Sequence, residues 1–152
     1  MSKPQIIICD IDGVLANESS RRINHLMLDP KDYDGYYKDV SQDPHIPILW
    51  NLLKWEKVFL LTGRRESCRK QTLQWLDRRP YLKADNSHLL MRKDWDFRPA
   101  FMLKEEMALE LMKDYDIKLA IDDNEEICSS YNALGIPTLL CNFYDLAQKA
   151  WN

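Results

Sequence analysis

The chain has 152 residues, 45% hydrophobic and 30% charged, with a formal charge of −3, values expected of one soluble globular domain with a substantial core. So small a charge gives no general electrostatic reason to bind nucleic acid, although a local basic patch stays open. No apolar run approaches the roughly 20 residues that span a bilayer, and the start Met1-Ser2-Lys3-Pro4 lacks signal-peptide anatomy, so a cytoplasmic protein is expected.

The first element expected is a buried strand, Ile6-Ile7-Ile8-Cys9, which ends on Asp10 and Asp12. Residues i and i+2 of an extended segment point to one side. Two carboxylates held that close repel, so one must stay protonated or a cation must sit between them. Gly13 then allows a sharp turn or a close approach to a ligand. Cys9 should face away from the acidic pair. Cys68, Cys128 and Cys141 are scattered without a C-x-x-C pair, so four reduced thiols are expected, with neither a disulfide framework nor zinc.

Residues 17–46, NESSRRINHLMLDPKDYDGYYKDVSQDPHI, break the rhythm of the chain. They are polar, rich in Asp and Tyr, and punctuated by prolines, as in an inserted lid or binding loop. A helix follows over Pro47–Trp55, then a strand, Val58-Phe59-Leu60-Leu61, that runs into Thr62-Gly63-Arg64-Arg65. Helical spacing returns over Glu66–Leu76. A weaker strand signal lies at Ser87–Met91, and the clearest helix at Pro99–Tyr115, with Leu103, Met107 and Leu111 on one stripe. A third strong strand, Leu119-Ala120-Ile121, runs into Asp122-Asp123-Asn124. The helix Glu125–Leu134 stops at Gly135, and a last strand is expected at Thr138–Cys141. Strands alternating with helices predict an α/β fold, a three-layer Rossmann-like parallel sheet with helices on both faces and a small insertion after the first strand.

Each main strand thus ends in chemistry, and ligands of open parallel sheets bind outside the carboxyl ends of the strands. Asp10, Asp12, Thr62, Asp122 and Asp123 could therefore share one crevice.

The stretches DIDGVLA, LLTGR, the lysine of FMLKEE, and LAIDDNEE, in this order and spacing, resemble the four motifs of the haloacid dehalogenase superfamily. The resemblance covers nearly the whole chain. Within the superfamily the chain is most similar to the phosphatase domain of bacterial and phage polynucleotide kinases, through DPKDYDGYYKDVSQDPHIPILWNLLKWEKVFLLTGRRE, LLMRKDWDFRPAFMLKEE and IKLAIDDNEEICSSYNALGIPTLLC. No P-loop motif occurs, so a kinase domain is not expected.

The resemblance implies a Mg²⁺-dependent phosphatase. Asp10 would be the nucleophile that becomes an aspartyl-phosphate. Asp12 would protonate the leaving alcohol and then deprotonate the attacking water. Thr62 would donate to the phosphoryl oxygens, and Lys104 would offset charge on Asp10 and the transferring group. Asp122 and Asp123 would ligate Mg²⁺ with Asp10 and the backbone carbonyl of Asp12, oxygen donors that suit a hard cation. Gly63, Arg64, Arg21 and Arg22 are candidates for substrate binding, because arginine matches phosphate with a two-pronged donor set. Arg92 and Arg98 are further candidates. Tyr33, Tyr36 and Tyr37 could stack a base or pack the insertion onto the core, and Trp50 and Trp75 stand at core-like helical positions.

The expected partner is a phosphorylated substrate, a nucleic acid 3′ end or a nucleotide. Other small phosphate esters are the alternative. A phospho-acceptor signalling domain uses a similar residue set, but places its acidic pair on the first strand and its acceptor Asp later; here the order is reversed. A degenerate scaffold is opposed by the presence of every core residue.

Overall fold

The computed structural model describes residues 2–78 and 88–143. Five strands, β1 (Gln5–Cys9), β2 (Val58–Arg65), β3 (Leu89–Arg92), β4 (Asp116–Asp122) and β5 (Thr138–Leu140), form one parallel sheet in the order β3-β2-β1-β4-β5. The order places β1 at the centre, flanked by β2 and β4, which brings the three acidic or Thr-bearing strand ends side by side.

Alternation along the strands divides the core in two. Ile7, Cys9, Val58 and Leu60 face α3 (Pro47–Leu53) and α4 (Arg69–Asp77). Ile6, Ile8, Phe59 and Leu61 face α5 (Ala100–Leu111) and α6 (Glu125–Ala133). The result is the three-layer α/β/α arrangement expected from the alternating pattern. Cys9 lies on the opposite side to Asp10 as anticipated, and all four cysteines are buried and free.

Helix boundaries follow local chemistry. Pro47 opens α3 at a position whose N–H needs no partner. Asn124 caps α6 by accepting from the Ile127 N–H at 3.1 Å. Gly135, at φ 80°, ends α6 where a side chain would be strained. The expected helix over Glu66–Leu76 begins as a 3₁₀ turn, Glu66–Cys68, and becomes α-helical at Arg69. β2 is longer than its apolar run and carries the backbone through Thr62 to Arg65. Of the weak strand signal at 87–91, Ser87 lies outside the described residues and Leu89 begins β3.

The inserted stretch contains no strand. It folds as short helical pieces: α1 (Ser19–Arg21), a π-helical turn (Arg22–Leu26), α2 (Tyr33–Lys38) and a 3₁₀ turn (Asp39–Gln42). His25 holds two of them together, with Nδ1 2.9 Å from Asp32 and Nε2 2.8 Å from Asp39. Its base is fixed by the Asn17 N–H donating to Pro44 and the Ile46 N–H donating to Leu15.

Candidate active site

Beyond the last β1 residue the chain turns within four residues. Gly13, at φ 81°, lets its N–H reach the Ala16 carbonyl, and the Val14, Leu15 and Ala16 amides all donate to Ile11. The turn leaves Asp10 and Asp12 pointing into a cavity of about 320 Å³ at the carboxyl ends of the strands. Gly63 and Arg64 from β2, Lys104 from α5, and Asp123 and Asn124 after β4 line it, and the insertion adds Glu18, Arg22, Tyr36 and Tyr37.

The two carboxylates of the opening motif have separate cations. Lys104 Nζ lies 2.9 Å from Asp10 and 2.6 Å from Asp122. It reaches them because Lys104 sits in the buried stripe of α5 with Ala108 and Leu111, against the sheet. Burial alone would lower the lysine pKa, but Asp10 and Asp122 reverse that and keep the ammonium charged. Asp12 instead takes Arg64, through Nη2 at 2.7 Å and Nε at 3.0 Å, and Arg21, through Nη2 at 2.8 Å. Both arginines also bind Asp43, at 2.8 and 3.1 Å. Arg21 and Arg64 are 3% and 1% exposed and Asp43 is buried, so the clamp is interior, with Asp12 the most open of the four.

These partners separate the protonation of the pair. Burial, with Asp122 and Asp12 nearby, pushes the Asp10 carboxyl well above the usual range despite Lys104. Burial acts on Asp12 in the same direction, yet the guanidiniums of Arg64 and Arg21 hold it below that range.

Asp10, Asp122 and Asp123 each offer an oxygen, and these atoms lie within 4.8 Å of one another. Lys104 is paired with Asp10 and Asp122, so the three groups carry a surplus of negative charge once all are ionised. An all-oxygen donor set with that surplus fits a hard divalent cation. The Asp12 carboxylate, engaged by its arginines, stands outside the three.

The structure thus brings together Asp10, Asp12, Gly63, Arg64, Lys104, Asp122 and Asp123, with Arg22 on the cavity wall. Arg22 is largely exposed and bonds Glu18 at 3.2 Å, while its neighbour Arg21 is interior. Thr62 is fully buried within β2, just past its apolar run, where its Oγ1 accepts the Arg64 N–H at 3.1 Å. Arg92 and Arg98 do not line the cavity: Arg92 donates to the carbonyls of Gly63, Asp96 and Arg98, and Arg98 pairs with Asp96 and Glu106. Tyr36 packs under the Arg21 guanidinium at 4.1 Å, and Trp75 donates to the Asp43 carbonyl at 2.7 Å. Glu18 and Asp43 were not singled out from sequence. An acidic residue in a polar insertion carries no local signal of its partner, and only the fold pairs Asp43 with Arg64.

A parallel sheet with an Asp-x-Asp turn after the central strand, a lysine from the covering helix and an acidic pair on the neighbouring strand defines a phosphatase of the haloacid dehalogenase type. The chain belongs to the family of the polynucleotide kinase PNKP phosphatase domain, which its residues 4–145 match. No curated protein sequence matches the chain. Among solved structures it is similar, at 26% identity and a TM-score of 0.73, to a chain in the Pnkp1/Rnl/Hen1 RNA repair complex, covering 92% of this chain and 43% of that one. A second structure of the Pnkp1/Rnl/Hen1 complex gives 26% identity and a TM-score of 0.74, with 93% of this chain and 47% of that one covered. The chain therefore spans less than half the length of these relatives. The fold is also that of the class C acid phosphatase from Bacillus anthracis, at 15% identity and a TM-score of 0.66, with 100% of this chain and 74% of that one covered. Among the described residues no helix is long and apolar enough to cross a membrane.

Proposed function

We propose that the protein is a Mg²⁺-dependent phosphomonoesterase that works through an aspartyl-phosphate on Asp10 and removes 3′-phosphates from polynucleotide ends. The observation that carries the reaction is the different environment of two carboxylates two residues apart: Asp10 beside Lys104 and the acidic pair, Asp12 in the grip of Arg64 and Arg21.

An Asp10 oxygen attacks phosphorus as the ester oxygen departs with its bonding pair and takes a proton from Asp12. Water then attacks the phosphoryl group, its proton goes to Asp12, and the bond from phosphorus to Asp10 breaks to restore the carboxylate. Asp12 enters the first step protonated; the clamp fixes its direction and favours the carboxylate that this step leaves behind, the form that accepts the proton of water. Lys104 holds Asp10 in place and balances charge as the phosphoryl group moves. A divalent cation held by Asp10, Asp122 and Asp123 would supply positive charge to the phosphoryl oxygens and favour the ionised form of Asp10. That Tyr36, Tyr37 and Arg22 line the cavity supports reading the insertion as a small cap.

The polynucleotide reading is supported by the family match and by the Pnkp1 chains, which were solved in an RNA repair complex. A mononucleotide or small ester is the second reading, favoured by the modest cavity and the net charge of −3. A phosphate-release screen separates them. A 3′-phosphorylated oligonucleotide should give a higher kcat/KM than nucleoside monophosphates or sugar phosphates; preference for either small class would overturn the polynucleotide assignment.

A further inference from the structure

At the edge of the catalytic cavity, one cation lies over two aromatic rings. The Arg65 guanidinium lies over the Tyr37 ring, 5.1 Å from its centroid, and over the Phe97 ring, 5.7 Å from its centroid. Tyr37 lines the catalytic cavity and also a second hollow of about 220 Å³, to which Arg65, Lys38, Ser67 and Gln71 contribute. Phe97 is 79% exposed, so its ring is open to solvent. Its loop is held against the site by Arg92, whose Nε donates to the Gly63 carbonyl while its Nη1 donates to Asp96 and Arg98. The acidic groups alongside are engaged: Glu66 by Arg69, Asp96 by Arg98, and Asp94 by the Ser67 N–H. Asp34 lies on the far wall beside Lys38.

We infer that Tyr37, Arg65 and Phe97 form a lane that binds the nucleotides preceding the terminal 3′-phosphate of a single strand. Alternating rings and cations suit a single-stranded polynucleotide, because every base offers a face for stacking and every linkage a charge for arginine. A nucleoside monophosphate in the cavity would meet Tyr37 and not the whole lane, so the lane would select for chain length. It also reconciles an acidic protein with a polyanionic substrate, since attraction is confined to one track. This inference rests on the polynucleotide reading above.

The test compares kcat/KM for a short single-stranded oligonucleotide with a 3′-phosphate, for a nucleoside 3′-monophosphate and for an aryl phosphate. Phe97→Ala should lower the ratio of oligonucleotide to aryl phosphate at least roughly five-fold, the low end for loss of one stacked base, and Phe97→Tyr should restore it. Arg65→Gln should reduce the salt dependence of oligonucleotide KM by about one phosphate contact. If wild type prefers the oligonucleotide and Phe97→Ala retains that preference, the lane is overturned while the substrate reading stands. If wild type does not prefer the oligonucleotide over the monophosphate, the substrate reading falls and the lane with it.

Discussion

Arg64 grips Asp12 with two nitrogens at once, Nη2 at 2.7 Å from Oδ1 and Nε at 3.0 Å from Oδ2, and turns the same Nη2 to Asp43 at 3.1 Å. One guanidinium thereby ties the catalytic turn after β1 to the end of the insertion. Removing one partner of a buried pair leaves the others uncompensated, so Arg64→Gln should cost roughly 3–5 kcal/mol in urea denaturation. Arg64→Lys keeps the charge without the fork and should recover part of that stability while still lowering kcat, because Asp12 is no longer held in one direction. A loss below about 1 kcal/mol, as for an exposed pair, would contradict an interior clamp.

Asp123 gives the acidic cluster a pH signature. Burial, followed by Asp122, pushes its carboxyl up to about 6. The native chain therefore keeps this proton to higher pH than the unfolded chain, whose carboxylates titrate near 4. Its contribution to metal-free stability is present below about pH 4 and lost as pH rises through about 6. Asp123→Asn should flatten that decline in urea midpoints measured without metal. It should also weaken the stabilisation by Mg²⁺, which binds the native cluster. A wild-type midpoint unaffected by Mg²⁺ at pH 7 would contradict the metal assignment.

His25 should titrate above the ordinary histidine value, because hydrogen bonds to Asp39 and then Asp32 favour its charged form. Here the raised group contributes stability that is complete below about pH 6.5, the unfolded value, and is lost as pH rises through the folded pKa. Proton NMR of the ring should give a midpoint above 6.5, and His25→Gln should remove the loss of insertion stability on the alkaline side. A midpoint at or below 6.5 would show that the two carboxylates do not hold the ring in solution.

The fold and the catalytic floor were legible because each rests on local pattern. Short apolar runs ending on Asp10, Thr62 and Asp122 declare buried parallel strands and their chemical ends. Lys104 could also be found, as a lysine at family spacing, and its place in the buried stripe of α5 explains why. The partners of Asp12 were less accessible. From sequence Arg21 and Arg64 read as arms toward phosphate, since nothing announces that Asp43, thirty-odd residues beyond the catalytic turn, returns to meet both. Arg65 and Phe97 were missed for a similar reason. A guanidinium at the end of β2 and a ring in the loop after β3 become neighbours only once the two strands align.

The central claim, that Asp10 carries the phosphoryl group and Asp12 handles the proton, is tested most directly by trapping the phospho-enzyme. Asp12→Asn should still be phosphorylated by an aryl phosphate, whose leaving group needs little protonation, and then stall for want of a base to activate water. Mass spectrometry of the quenched protein should place one phosphate on Asp10, removable by hydroxylamine, and Asp10→Asn with the same substrate should carry none. A phosphate mapped to another residue, or equal labelling of both variants, would contradict the account.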